Sequence, residues 1–306
     1  EKTIFNVQNK TNNNYKISNF NKYLISFIGL LFFWLFYLLI PLLYEKNWVQ
    51  TNIERKLLNE FKVNLSASAD ISYRILPGPH FLIRDSKILT NDDQNPKPIA
   101  EIKDLKVFLN HGNFFNKEKI SLKKIVISEA NFLLLRNDFK LLDNIRNIKF
   151  SRKKIKVNDS NIFFKDSLDE IITIVKIDKA TVFFDDEKLL NLLNLTGELF
   201  NIPFTFDFNN YNDPIKNQKI NFNAKYLKLN ISNESIKENN SINGKNYISF
   251  LNKKINTQYN IKNKLITFKS DDFKTENYKP TYSGELSINP FDLNLNINLG
   301  NHKISK

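Results

Sequence analysis

Apolar positions along the chain fall into three regimes. The first is the continuous run YLISFIGLLFFWLFYLLIPLLY, from Tyr23 to Tyr44, 22 residues without a charge. About 20 apolar residues span a bilayer as a helix, so the run is read as a membrane span. Trp34 lies mid-run. Tyr23, Tyr44 and Trp48 lie near its ends, where amphipathic rings favour the interface. Pro41 falls in the last turn, where a kink is tolerated. The run exceeds a signal-peptide core, and no small-x-small cleavage site follows it. The second regime is helical: Trp48, Ile53, Leu57, Leu58 and Phe61 fall near one face of a helix over 47–61. Thr51 with Glu54 fits a capping box there. From Lys62 the period becomes two, with Val63, Leu65, Ala67 and Ala69 alternating until Pro77-Gly78-Pro79 breaks the pattern.

Within this third regime the chain repeats itself. Residues 121–134 read SLKKIVISEANFLL, and 151–164, at an offset of 30, read SRKKIKVNDSNIFF. A third copy, VKIDKATVFF, occupies 175–184, and a weaker fourth, FLIRDSKILT, occupies 81–90. Each keeps period two on both sides of a small residue (Ser86, Ala130, Ser160, Ala180) and changes parity across it. Ile125 and Ile127, for example, are followed by Phe132 and Leu134. A strand that swaps parity needs a bulge or a bend, so each copy is expected to turn a corner and continue.

The C-terminal part alternates more cleanly. Ile202, Phe204, Phe206 and Phe208 form one run; Ile220, Phe222 and Ala224, then Leu227, Leu229 and Ile231, form another; Phe291, Leu293, Leu295, Ile297 and Leu299 form a third. Turn signals fall at Asn91–Pro98, Asp185-Asp186-Glu187, Asn209–Pro214, Asn239–Gly244 and Asp271-Asp272. Helical spacing recurs only near Asn137–Ile148 and Glu187–Leu195. The expected fold is therefore mainly β (α+β): a membrane helix and a short helix, then an elongated, curved antiparallel sheet. After about residue 200 no amphipathic helix covers the apolar strand faces. Such a face must meet either a second sheet, giving a sandwich or barrel, or something outside the chain. Lipid acyl chains are the second answer. Moving a C16 chain from bilayer to water costs on the order of 12 kcal/mol, and an apolar groove cancels most of that. The positions expected to line such a groove are Phe132, Leu134, Ile162, Phe164, Val182, Phe184, Phe204, Phe206, Phe222, Leu293, Leu295 and Ile297.

Composition narrows the rest. The net charge is +13, but only six of the 45 basic residues are arginines, and the lysines are spread along the whole chain. Arginine is the residue that reads phosphate and base edges by bidentate geometry, so nucleic acid is not an expected partner. There is no cysteine, and His80, His111 and His302 stand far apart, so disulfides and a His-rich metal site are excluded. No GxGxxG or GxxxxGK[ST] is present, and no nucleophile–base order stands out, so neither a cofactor nor an enzymatic activity is expected. Asp92-Asp93 and Asp185-Asp186-Glu187 lack calcium-loop spacing and read as turn tips. Lys2, Lys10, Lys16 and Lys22 precede the span, whereas Glu45 offsets Lys46 after it. The bias places residues 1–22 in the cytoplasm and 45–306 across the inner membrane, in a bacterial periplasm.

The order of these elements resembles the AsmA family of bacterial envelope proteins. The resemblance rests on the span, the helix ending near Phe61, VNLSASADISYRILPGPHFLI at 63–83, IKDLKVFLNHGNFF at 102–115 and ISLKKIVISEANFLLLRND at 120–138. GELFNIPFTFDF at 197–208 and SGELSINPFDLNLNI at 283–297 are similar to the family's Gly-x-apolar-x-x-x-Pro-Phe pattern. The resemblance implies a periplasmic β-groove related to bridge-like lipid-transfer proteins. It implies roles in outer-membrane assembly and phospholipid movement, with phospholipid acyl chains, the inner membrane and an outer-membrane or periplasmic protein as partners. Family members are longer, which implies that the groove continues past Lys306. The alternative is a membrane-tethered periplasmic β-sandwich that scaffolds another envelope protein.

Overall fold

A computed structural model describes residues 18–90, 96–135, 148–166, 168–211, 217–238, 240–251, 253–270, 281–288 and 290–298. The turn signals at Asp92-Asp93 and Asp271-Asp272, most of the 137–148 helical spacing, Lys2, Lys10, Lys16, Leu299 and His302 lie outside these residues. The apolar run is helical as expected, but it starts earlier: α1 spans Asn19–Leu39, and a 3-10 turn, Ile40–Leu43, follows with Pro41 near its start. Asn19–Leu43 is the one helix among the described residues long and apolar enough to cross a membrane. Its side chains, Tyr23 and Trp34 included, are almost all exposed, the state expected of a helix whose solvent is lipid.

Helix α2, Lys46–Phe61, ends where Lys62 turns left-handed at φ 58°. Its N-cap is Glu45, not Thr51. Thr51 already lies inside the helix and its hydroxyl donates to Asn47 O (3.0 Å), so no capping box forms. Glu54 is used elsewhere. Its Oε1 accepts from Ala67 N (2.9 Å), while Gln50 Nε2 donates to Ala67 O (2.9 Å), so α2 satisfies the backbone just past the first strand. Val49, Asn52, Ile53 and Leu57 are buried; Leu58, expected on that face, is exposed.

The rest is one open, curled sheet of sixteen strands. They are β1 Asn64–Ser66, β2 Ile71–Arg74, β3 His80–Leu89, β4 Pro98–Leu109, β5 Leu122–Leu135, β6 Lys154–Lys165, β7 Ile171–Asp185 and β8 Leu190–Leu199. Then come β9 Ile202–Tyr211, β10 Asn217–Ala224, β11 Leu229–Glu238, β12 Ser241–Phe250, β13 Lys253–Lys262, β14 Leu265–Ser270, β15 Thr281–Ile288 and β16 Phe291–Asn298. From β3 onward each strand pairs with the next in sequence; β1 and β2 both pair with β3. No second sheet faces this one among the described residues, so the sandwich or barrel expected as one alternative is not what forms. Three local expectations fail. Glu187–Leu195 is a turn leading into β8, not a helix, because Asp185 Oδ1 accepts from the backbone N–H of Glu187 (3.0 Å) and Lys188 (3.2 Å) and closes the turn. Leu227 sits in a 3-10 turn between strands, and Gly244 lies inside β12 rather than in a turn.

The repeat has a geometric meaning. Strands β5 and β6 pair in parallel, against the expectation of an antiparallel sheet throughout, and their register equals the repeat offset: Lys124 faces Lys154, Ile127 faces Val157, Phe132 faces Ile162. Identical positions meet side by side, as when Asn161 Nδ2 donates to Asn131 Oδ1 (3.2 Å) and Ala130 N donates to Ser160 Oγ (3.0 Å). The parity change is a bulge, as expected. Asp85, Glu129 and Asp159 take positive φ (51°, 53°, 46°) immediately before Ser86, Ala130 and Ser160. Asp85, Lys103, Glu129, Asp159 and Asp178 drop out of the ladders in successive strands, forming one line of bulges across β3–β7. Because each strand slips by one residue on the same line, the apolar side chains stay on one face throughout.

At the N-terminal end that face is covered. Val49, Ile53 and Leu57 of α2 join Leu65, Ile71, Phe81, Ile83, Leu105, Ile125 and Ala130 in one buried cluster. Glu60 of α2 forms a half-buried ion pair with Lys153. Tyrosines tie α1 to the sheet: Tyr73 OH donates to Leu38 O (2.6 Å), and Tyr37 OH accepts from Phe114 N (3.1 Å) while its ring stacks on Phe114. His80, expected in a loop, begins β3, is buried and stacks on Phe108 with ring centroids 4.8 Å apart. Burial pushes its imidazole below the usual range; Lys106, Arg74 and Lys124 add to this, and the contact of Nδ1 with Gly78 O (2.7 Å) opposes it. The unfolded chain then binds a proton that the folded chain refuses, so stability falls as pH drops below about 6.5 toward the folded value. The thermal midpoint is expected to decrease between about pH 7.5 and 5.5, with a shallower slope for His80→Phe.

Candidate functional site

The apolar face continues beyond α2, and among the described residues only the short segment before β6 lies over part of it. Residues directly opposite in adjacent strands share a face, so the registers trace continuous rows. One row reads Ile155, Val182, Leu193, Phe208, Ile220. The next reads Val157, Ala180, Leu195, Phe206, Phe222, Ile231, Ile248, Ile255. Phe204 stacks on Phe222 with centroids 5.2 Å apart. On the other side of the bulge line, Phe132, Ile162 and Val175 form a row, with Leu134 and Phe164 beside it. The last strands supply Leu286 opposite Leu293, Gly284 opposite Leu295 and Tyr282 opposite Ile297.

All twelve positions expected to line a groove thus lie on this one face, but they differ in access. Leu293, Leu295 and Ile297 are 48%, 46% and 59% exposed. Phe204, Phe206, Phe222, Leu134, Phe164 and Val182 are half-buried. Phe132 and Ile162 pack against the covered core. Phe184 is the exception: it is buried, with Lys149 Nζ 3.9 Å from its ring centroid. The segment before β6 lies over the face there. Asn191 holds it, donating Nδ2 to Ile148 O (2.6 Å) and accepting Phe150 N at Oδ1 (2.8 Å), while Phe184 N donates to Ser151 O (2.8 Å). Asn191 is buried and stood out in no sequence pattern, because its partners are backbone atoms 41 and 43 residues away.

The pattern of alternation also concealed a polar patch in the middle of the face. Asn233 and Asn246 sit opposite each other in β11 and β12, and Asn233 Nδ2 donates both to Asn246 Oδ1 (2.6 Å) and to Tyr259 OH (2.8 Å). The Tyr259 ring covers Gly244, where an added Cβ would fall 2.3 Å from it. Thr257 Oγ1 and Tyr282 OH bond alongside. Apolar rows flank this patch on both sides: Ile231, Ile248 and Ile255 on one, Ile242, Ile261, Ile266 and Leu286 on the other.

Chemically reactive groupings are sparse. Among the described residues no group of three or more His, Asp or Glu side chains is placed to hold a metal ion. Asp185 closes its own turn, and Asp186 pairs with Arg152 (3.0 Å). What the geometry offers is a long apolar surface. From β3 to β16 there are thirteen strand-to-strand steps, about 60 Å at the usual spacing. No family model matches the chain, and no curated protein matches it.

Proposed function

We propose that the chain is a single-pass bacterial inner-membrane protein whose periplasmic sheet binds and conducts phospholipid along its apolar face, in outer-membrane assembly. The observation that carries this reading is the row of large apolar side chains on an open, curled sheet, with Leu293, Leu295 and Ile297 about half exposed. Soluble proteins seldom leave a contiguous apolar patch larger than a few hundred Å² in water. An acyl chain laid on such a face recovers about 0.8 kcal/mol per buried methylene, so a partial length of chain is enough for binding. A helix long and apolar enough to cross a membrane, bonded to the rest of the fold through Tyr37 and Tyr73, supports a face that begins beside a bilayer. The similarity of residues 23–140 to the AsmA family points the same way.

The test is lipid capture by the full chain purified in mild detergent. Photo-crosslinking residues at Phe206 and Leu295 are expected to trap phospholipid, and the same residue at Asn223 or Asn294, on the opposite face, to trap none. Protein that carries no lipid and crosslinks only to another protein overturns the reading and favours a scaffold.

A further inference from the structure

We propose that the two neighbouring turns between β10 and β11 and between β12 and β13 form a docking tip for an anionic bilayer surface. It lies at the ends of these strands, one same-face pair beyond Ile231 and Ile248, and involves no residue of α1. The turns lie side by side: Leu251 N donates to Lys228 O (3.1 Å), and Leu229 sits opposite Phe250. Lys228 and Leu251 both take positive φ (50° and 54°), which fixes the two tips in tight turns. Four lysines, Lys225, Lys228, Lys253 and Lys254, are exposed there. No Asp or Glu occurs in residues 224–233 or 247–257.

This clustering differs from the lysines that meet an acid elsewhere on the sheet. Lys219 faces Glu234 (2.7 Å), Lys87 faces Glu101 (3.1 Å) and Lys176 reaches Glu198 (3.4 Å). Those lysines are neutralised across a strand pair; the four at the tip have no acid in their own turns. Between them stand Tyr226, 81% exposed, and Leu251, 56% exposed. A polyanion dissolved in water offers nothing to an exposed leucine. A bilayer interface offers both: headgroup phosphates for the lysines, and the headgroup–acyl boundary for Tyr226 and Leu251. Electrostatic attraction to anionic lipid is additive per lysine and is screened by salt, so the contact is reversible.

The assignment does not require that the apolar face carry lipid, and its test reads adhesion rather than transfer. The full chain is held in nanodiscs of zwitterionic lipid. Because it contains no cysteine, Leu251→Cys gives a single attachment point for an environment-sensitive dye. Vesicles with roughly a third anionic lipid are expected to blue-shift the dye and co-sediment with the discs, and about 0.5 M salt to reverse both. Changing all four lysines to glutamine is expected to weaken vesicle capture about tenfold or more, and changing all four to arginine to preserve it. An equal response to purely zwitterionic vesicles, no response to anionic ones, undiminished capture by the glutamine variant, or loss of capture in the arginine variant would each overturn the proposal.

Discussion

Replacing Phe222 by glutamate is expected to stop lipid loading and transfer while leaving the sheet folded. Phe222 stands in the middle of the longest apolar row, between Phe206 and Ile231, and stacks on Phe204. On an empty, open face the new carboxylate stays in water, so the fold loses only the phenylalanine's packing, about 1–2 kcal/mol. With an acyl chain lying across it, the same carboxylate would have to lose its hydration against methylenes, which costs several kcal/mol at least. The chain therefore lifts off over Phe222 and its two neighbours. Losing contact for about five methylenes forfeits about 4 kcal/mol, close to a thousandfold in occupancy. Asn223→Glu, one residue along on the opposite face, is expected to change nothing. Lipid per protein by native mass spectrometry and vesicle-to-vesicle transfer by the reconstituted full chain measure the two together. Undiminished occupancy and transfer in Phe222→Glu would remove the apolar row from the mechanism.

Much of this face is visible in the sequence because period-two alternation reports directly which residues share a side. Phe204, Phe206, Leu293 and Leu295 needed no further information. The bulges were also legible, since a parity change at Ser86, Ala130, Ser160 and Ala180 admits few other structures. That two of the repeats would pair in parallel was not legible, because period-two alternation reports which residues share a face and not the direction of the neighbouring strand. Glu187–Leu195 misled because the leucines of LLNLLNL recur at helical spacing and do not alternate, and the turn closed by Asp185 leads into a strand instead. Strand β12 was concealed by Gly244, the end of the Asn239–Gly244 turn signal, which the Tyr259 ring covers in the fold. The covering of Phe184 by Lys149 is a tertiary contact with no local signature.

The bulge line that keeps the apolar side chains together ends at a position with no room for a side chain, and the strongest effect on stability is expected there. Gly197 in β8 faces Ile177, next to the point where Asp178 drops out of the β7 ladder. A Cβ on Gly197 would lie 2.1 Å from Lys176 O and 3.2 Å from Lys176 C. Both are backbone atoms within a paired strand, so neither can swing aside as a side-chain tip can. Gly197→Ala must force β7 and β8 apart. Overpacking costs about 1–3 kcal/mol, and each ladder hydrogen bond lost adds about 1 kcal/mol, so the total is about 3–4 kcal/mol. Gly112, where an added Cβ meets nothing within 4 Å, is the control: Gly112→Ala is expected to stay within about 0.5 kcal/mol. Denaturant unfolding of the full chain in detergent gives the two values. Amide exchange shows whether the loss of protection starts at β7 and β8, as the steric argument requires, or at α2, which would place the weakest point of the fold at the N-terminal core instead.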